Sequence, residues 1–302
     1  MSNSHLARRA LASLLAAAAA TSAAAEPAVE TNAAAAYSYQ TLDYPGATDT
    51  IFWGIGDFGE LSGQYNLSGH PGHAMTYRNG HFSSLDPNGL FGDNSSAAGG
   101  PNDLGTLFGG YNDASLHAHG FVIQFGRTQT VDFAGHLNSN VDGVNNFGAI
   151  AGVYWDADGI YHGILRQYGH DVPFDVPGAR DTYPLGISGS GEIVGYWDVG
   201  PGTLHGFYRS PAGLMLTLDV PNAGAGGTAA FGINDVGQIS GYFADAGGAI
   251  HGFVQTRGQY QTLDVPGALA TIATAINNHG VVAGEYIDTS GHRHGFVATP
   301  AH

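Results

Sequence analysis

The chain has 302 residues, 43 % of them hydrophobic, with 48 glycines, 13 prolines, no cysteine and a formal charge of −16. That content is too apolar for a disordered chain and lacks the triplet period of collagen, while the missing cysteine excludes disulfides and thiol chemistry. All nine basic residues are arginine, so a Schiff-base lysine and a phosphate-loop lysine are excluded as well.

The N-terminus reads as a signal peptide over residues 1–25. Arg8-Arg9 supply the positive start, Ala10–Ala20 the apolar run and Ala23-Ala24-Ala25 a small-residue cleavage site before Glu26. The run is too short to span a bilayer, so membrane insertion is not expected. A secreted or periplasmic protein is expected, exported by the general secretory route. Cleavage removes Arg8 and Arg9 and no acid, leaving seven arginines against 25 acids, a formal charge of −18. Such a surface repels phosphate backbones, and nucleic acid is not expected as a partner. Residues 26–36, Ala-rich and polar, read as a disordered leader.

From Tyr37 onward the chain repeats about every 44 residues, the period of propeller blades. The Asp of a Leu-Asp-x-Pro-Gly element marks the register at Asp43, Asp86, Asp132, Asp175, Asp219 and Asp264. Each period holds four strand-like pieces, labelled A to D. Strand A ends in Gly-Ile-Asn or a variant, as at Gly232-Ile233-Asn234, and a tight turn follows where Asn and Gly accept positive φ. Strand B carries an interior glycine in every copy: Gly63, Gly109, Gly152, Gly195, Gly241 and Gly284. Glycine weakens an isolated strand, so its recurrence predicts a close backbone approach, expected at the propeller axis.

Strands C and D form a β-hairpin, clearest in His251–Gly267. A turn at Arg257-Gly258 sets His251 opposite Asp264. The 13-residue spacing recurs in His73/Asp86, His119/Asp132 and His162/Asp175, and His205/Asp219, with a longer loop, is 14 apart. We read these pairs as structural: a carboxylate facing an imidazole pins hairpin register, and the Asp is also expected to cap the following Pro-Gly turn. The first complete piece, Tyr37–Tyr44, is a D strand and the last, His294–Ala298, is a C strand. Each end supplies what the other lacks. The spacing predicts an all-β fold, one six-bladed propeller of four-stranded blades over 37–298 with a tail at 299–302. The N-terminal strand completes the last blade, and His294 meets Asp43. Two tandem β-trefoils would also hold six repeats but give no reason for split ends.

The His-Gly-Phe triplets at His119, His205, His251 and His294, with Gly-Ile-Asn and Gly-x-Ile-x-Gly-x-Tyr, resemble the HAF family of extracellular repeats. The resemblance covers about 37–298 and implies export and a propeller-like fold, with no activity attached. Two copies depart from it, His73-Ala74-Met75 in the first and an insertion over Leu90–Ser96 in the second.

Sites of chemistry are sparse. His117/His119 and His292/His294 have the His-x-His spacing of zinc or copper ligands, but no third ligand is identifiable. Acids recur in the B–C loops at Asp113, Asp156, Asp158, Asp198, Asp245 and Asp288. Calcium is conceivable there, although Asp-Gly turns account for the pattern better. No nucleophile elbow or triad signature is present. Repeats three and four place Tyr154-Trp155-Asp156 and Tyr196-Trp197-Asp198 at the end of strand B, with Asn66, Phe243 and Ile287 at the Trp position elsewhere. These residues form the candidate ligand surface: Trp155 and Trp197 to stack on a sugar, Asp156 and Asp198 to accept from hydroxyls. Inter-blade packing is the competing role for the two tryptophans. The expected function is a monomeric binding or scaffolding module for a glycan or protein ligand, without a required cofactor. The alternative is an extracellular hydrolase or lyase using His and Asp in the central channel.

Overall fold

The computed structural model describes residues 37–301, save 87, 88, 93, 134 and 201; the signal peptide and leader expected over 1–36 lie outside the described residues. The regular elements described are β-strands, arranged as six blades of four. The chain enters through β1 (Tyr37–Thr41). Blade 1 is β2 (Asp49–Ile55), β3 (Leu61–Asn66), β4 (His73–Arg78) and β5 (His81–Ser84), and blade 2 is β6 (Ser96–Gly99), β7 (Leu107–Asn112), β8 (Ala118–Gln124) and β9 (Arg127–Val131). Blade 3 is β10 (Asn138–Val144), β11 (Ile150–Trp155), β12 (Tyr161–Gln167) and β13 (His170–Phe174), and blade 4 is β14 (Asp181–Ile187), β15 (Ile193–Asp198), β16 (His205–Arg209) and β17 (Met215–Thr217). Blade 5 is β18 (Thr228–Ile233), β19 (Gln238–Ala244), β20 (Ile250–Thr256) and β21 (Gln259–Leu263). Blade 6 is β22 (Ala270–Ile276), β23 (Val282–Ile287) and β24 (Arg293–Pro300), with β1 as its outer strand.

β1 runs antiparallel to β24 from Tyr37↔Pro300 to Thr41↔Phe296. Strand β24 thus extends two residues beyond the Ala298 boundary, into the segment expected as a tail. That pairing gives the first strand a partner and the last blade its fourth strand, as a closed ring requires.

The blades are welded by apolar clusters: six each join one pair of neighbouring blades, and a seventh runs across blades 3 to 6. Phe121, Phe207, Phe253 and Phe296, the third residues of the His-Gly-Phe triplets, are at most 1 % exposed. Each is worth about 1.5–3 kcal/mol of burial. The cluster that joins blades 6 and 1 packs Phe52, Leu61 and Met75 against Ala275 and Ala283, with Leu42 and Tyr44 alongside. The inner strands are covered on both faces, as β2 and β3 show, whereas the outer strands leave alternate residues wet, as at Ser38 and Gln40 of β1.

The turns follow their chemistry. At Asn79-Gly80, Phe125-Gly126, Tyr168-Gly169 and Arg257-Gly258 both central residues have φ between 51° and 82°, the type I′ geometry that matches strand twist. The B-strand glycines have a different cause from the expected crowding at the axis. A Cβ on Gly195 would lie 2.0 Å from the Tyr183 carbonyl oxygen, and one on Gly284 would lie 2.0 Å from that of Ile272. The offending backbone is the A strand of the same blade, beside a β-bulge in that strand.

Candidate ligand site at the mouth of the central channel

The outer hairpins hold most of the residues singled out by sequence. Five of the six His/Asp pairs form. The imidazole Nδ1 meets the carboxylate at 2.8 Å in His119/Asp132, 2.9 Å in His162/Asp175 and 2.7 Å in His205/Asp219. The distances are 2.9 Å in His251/Asp264 and 2.8 Å in His294/Asp43. The same carboxylate accepts the N–H of the glycine after the histidine, as Gly206 to Asp219 at 3.1 Å. It does not cap the Pro-Gly turn, which closes through backbone bonds such as Ala179 N–H to Val176 O.

The sixth pair is a correction. Asp86 accepts from the Phe91 N–H at 2.7 Å, and His73 packs on Tyr65 instead. The cause is the insertion: Phe91 is buried against Tyr111 and Phe121, and it draws the start of its segment onto Asp86.

The B–C loop acids complete the same unit. Asp113, Asp245 and Asp288 approach the Nε2 of His119, His251 and His294 at 3.4, 3.5 and 3.3 Å, and Asp156 lies 4.0 Å from that of His162. Their other oxygens cap loop N–H groups, as Ser115 and His117 do on Asp113. Asp264, then Asp245, holds the His251 imidazole above its ordinary pKa against burial. At His119 and His294 burial opposes the shift, yet the paired aspartates prevail and raise it. Both nitrogens of His119 and His294 are therefore spent on carboxylates, and His117 lies just outside β8. Among the described residues no group of three or more His, Asp or Glu side chains is arranged around a common metal position.

The tryptophans need a second correction. Counted from the strand glycine, Trp197 is equivalent to Tyr154, not to Trp155. Trp197 lies opposite His205 and Tyr154 opposite His162, whereas Trp155 lies opposite Tyr161. Successive strand residues point to opposite faces, so the two indoles do not share a surface. Trp197 stacks on His205 at 4.7 Å, as Tyr65, Tyr111, Tyr154, Phe243 and Tyr286 do on their histidines. Trp155 packs on Tyr161 and the core beside it. Asp156 is exposed and caps its loop, while Asp198 is half-buried and accepts from the Gly200 N–H at 2.9 Å.

The asymmetric feature lies at the axis. In five A strands the register slips by one residue between Phe52 and Gly54, Val141 and Gly143, Pro184 and Gly186, Ala230 and Gly232, and Ala273 and Ala275. The extra residues are Trp53, Asp142, Leu185, Phe231 and Thr274, all lining a channel cavity of about 140 Å³. A bulge re-aims a side chain, and here it turns one per blade into the lumen. Blade 2 has no slip, and Gly100 and Pro101 line the wall there.

One layer toward the A–B turns stands an apolar collar of Ile55, Pro101, Val144, Ile187, Ile233 and Ile276. Above it, the Asn of Gly-Ile-Asn latches blade to blade. Asn234 donates to Asn277 O at 2.8 Å and Asn277 to Gly56 O at 3.0 Å, each also capping its own turn through Oδ1. The rim carries Asp57, Asp103 and Asp235, held by neutral donors such as Asn278, Asn146 and the Gly189 N–H. Among the described residues no arginine or histidine belongs to the funnel lining, and His279 stands beside the rim, 3.9 Å from Asp57.

Asp142 sets the charge of the floor. One carboxyl oxygen accepts from Asn140, and the other is shut from solvent with no hydrogen-bond partner. Burial pushes its pKa up to about 8, with the Asn140 bond opposing, so the carboxyl is neutral at pH 7. Trp53 spans the channel toward Phe231, 6.4 Å between ring centres, and its Nε1 is likewise buried without a partner. Sequence reasoning passed over this ring. Its signal was the residue before each Gly-Ile-Asn element, which changes from copy to copy while its neighbours repeat.

No family model matches the chain, and no curated protein matches it. Solved structures do resemble it. A putative TolB from Agrobacterium tumefaciens is 11 % identical, aligning 82 % of this chain with 89 % of its own at a TM-score of 0.55. AofleA from Arthrobotrys oligospora is 13 % identical over 86 % of each chain at 0.54. The β-propeller domain of the Trilobed protease from Pyrococcus furiosus is 10 % identical, 84 % against 79 %, at 0.50, and is described as having an open velcro topology. At these identities the likeness is one of fold, the β-propeller. No helix among the described residues is long and apolar enough to cross a membrane.

Proposed function

We propose that this chain is an exported propeller of the HAF-repeat type that acts as a binding module, engaging its ligand through the A–B end of the channel. The observation that carries the reading is the funnel itself. A repeated scaffold of latches and collars surrounds a floor whose residues differ in every blade. Side chains that serve the ring recur, whereas a recognition surface needs only one correct arrangement. The floor positions hold one titratable side chain, Asp142. The glycan surface expected from Trp155 and Trp197 is replaced by this funnel.

The test is a ligand screen against glycan and random-peptide arrays, repeated with two variants. Asp103→Asn/Asp235→Asn alters the rim and keeps its hydrogen-bond acceptors. Asp132→Asn alters an outer hairpin. Loss of the ligand in the rim variant alone is expected. A ligand that survives there and is lost with Asp132→Asn would move the site to the outer hairpins.

A further inference from the structure

The four most exposed aromatic side chains all lie at one end of the molecule. Phe58 and Phe147 tip A–B turns, 88 % and 85 % exposed, and Phe125 and Tyr168 tip C–D turns, 82 % and 90 % exposed. Antiparallel strand order places A–B and C–D turns at the same end. All four sit on blades 1 to 3: Phe58 and Phe147 adjoin the rim residues Asp57 and Asn146, while Phe125 and Tyr168 tip the outer hairpins. Among the described residues, the large apolar side chains exposed at the opposite end, with the B–C and D–A loops, are aliphatic, such as Leu116, Leu137, Val199 and Leu269. Exposed aromatics beside a recess are frequent anchors of contact with another macromolecule.

The funnel states the charge of that partner. The rim carboxylates of Asp57, Asp103 and Asp235 are bonded to neutral donors apart from His279, which lies 3.9 Å from Asp57. Among the described residues no arginine lines the funnel, and residues 26–302 carry a formal −18. Below the rim stands the apolar collar, and the whole funnel from rim to floor has a volume of about 140 Å³, close to the ~150 Å³ void that accepts a benzene ring.

We infer that this end docks a protein segment that seats one apolar side chain in the funnel, sets flanking basic residues on the rim aspartates, and rests on Phe58, Phe147, Phe125 and Tyr168. The inference rests on the channel-mouth reading and adds the class of its ligand. The neutral Asp142 carboxyl suits it, since the floor carries no charge for a cation to meet. The rim disfavours anions, and charge complementarity adds rate and specificity to the apolar contact.

The experiment is selection of a random dodecapeptide display library on the full mature chain. A Phe58→Ser/Phe147→Ser variant of unchanged charge serves as counter-selection. These side chains are exposed on turns, and an unchanged melting temperature verifies the fold. The expected outcome is a consensus with an aromatic or aliphatic residue flanked by Lys or Arg. The synthesised consensus peptide should bind one to one, at least about tenfold more weakly to the counter-selection variant, and several-fold more weakly at 0.5 M than at 0.05 M salt. An acidic consensus, no enrichment, or equal binding to both proteins overturns the inference. So does equal capture of phosphatidylcholine vesicles, which would make lipid the occupant. A glycan ligand lost in Asp103→Asn/Asp235→Asn would overturn the partner class and leave the funnel as the site. Ligands indifferent to both the rim and the tip variants would sink the two readings together.

Discussion

At the outer edge of the blades, five histidines meet five aspartates in one geometry; at the axis, five bulged positions hold Trp53, Asp142, Leu185, Phe231 and Thr274. Both regions belong to the same repeat. The hairpin recurs because each copy solves the same problem, register and cover for one blade. The bulge residue is free of that problem, since it is expelled from the ladder and faces the lumen. Recurrence in a repeat protein thus marks scaffold, and divergence at one aligned position marks the place to seek recognition.

The largest break expected in the scaffold is removal of the closing strand. Deleting residues through Pro45 takes away β1, the Asp43–His294 bond and the packing of Leu42 and Tyr44. Chemical denaturation should show a loss on the order of 5 kcal/mol, since a strand edge and two clusters become exposed. Unchanged stability would mean that the ring does not depend on this closure. Next is Gly195→Ala. Its Cβ would meet the Tyr183 oxygen at 2.0 Å, and a loss of about 4 kcal/mol is expected in the same measurement.

The ring responds with the opposite sign. An acid whose folded pKa is raised keeps its proton in the fold and releases it on unfolding. Its cost is absent below pH about 4, grows as pH rises, and levels off above about 8. Asp142→Asn should therefore stabilise by on the order of 2–4 kcal/mol at pH 7, with the gain fading toward pH 4. A pH-independent change in thermal scans would contradict the buried carboxyl.

The smallest effect belongs to a single hairpin pair. His251→Ala should cost about 1–2 kcal/mol, the range of a charge-assisted hydrogen bond. Because Asp264 raises the His251 pKa, that contribution is fully present below pH about 6.5 and fades as pH rises through the folded value. His73→Ala, which breaks no aspartate pair, should cost less, about 0.5 kcal/mol.

How much of this was legible follows the same division. The spacing of His251 and Asp264, the Arg257-Gly258 turn and the split termini led to the blades, the register and the N-terminal strand's place. These features rest on local periodicity, which a sequence displays. The His73/Asp86 failure was not legible, because it depends on where Phe91 packs. Nor was the reason for the strand glycines, because a bulge shifts register without changing the repeat length. The tryptophan misalignment was avoidable. Counting from Gly152 and Gly195 separates Trp155 from Trp197 by one residue, hence by one face of the sheet.

The most direct test of the division between scaffold and recognition is one calorimetric titration. The display-selected peptide is titrated into Phe58→Ser/Phe147→Ser and into His251→Ala, at a temperature where both are folded. The account predicts at least about a tenfold weaker affinity for the first and, for the second, an affinity within twofold of the parent. Parent-like binding by the first and loss by the second would contradict it, and would move recognition to the repeated outer hairpins.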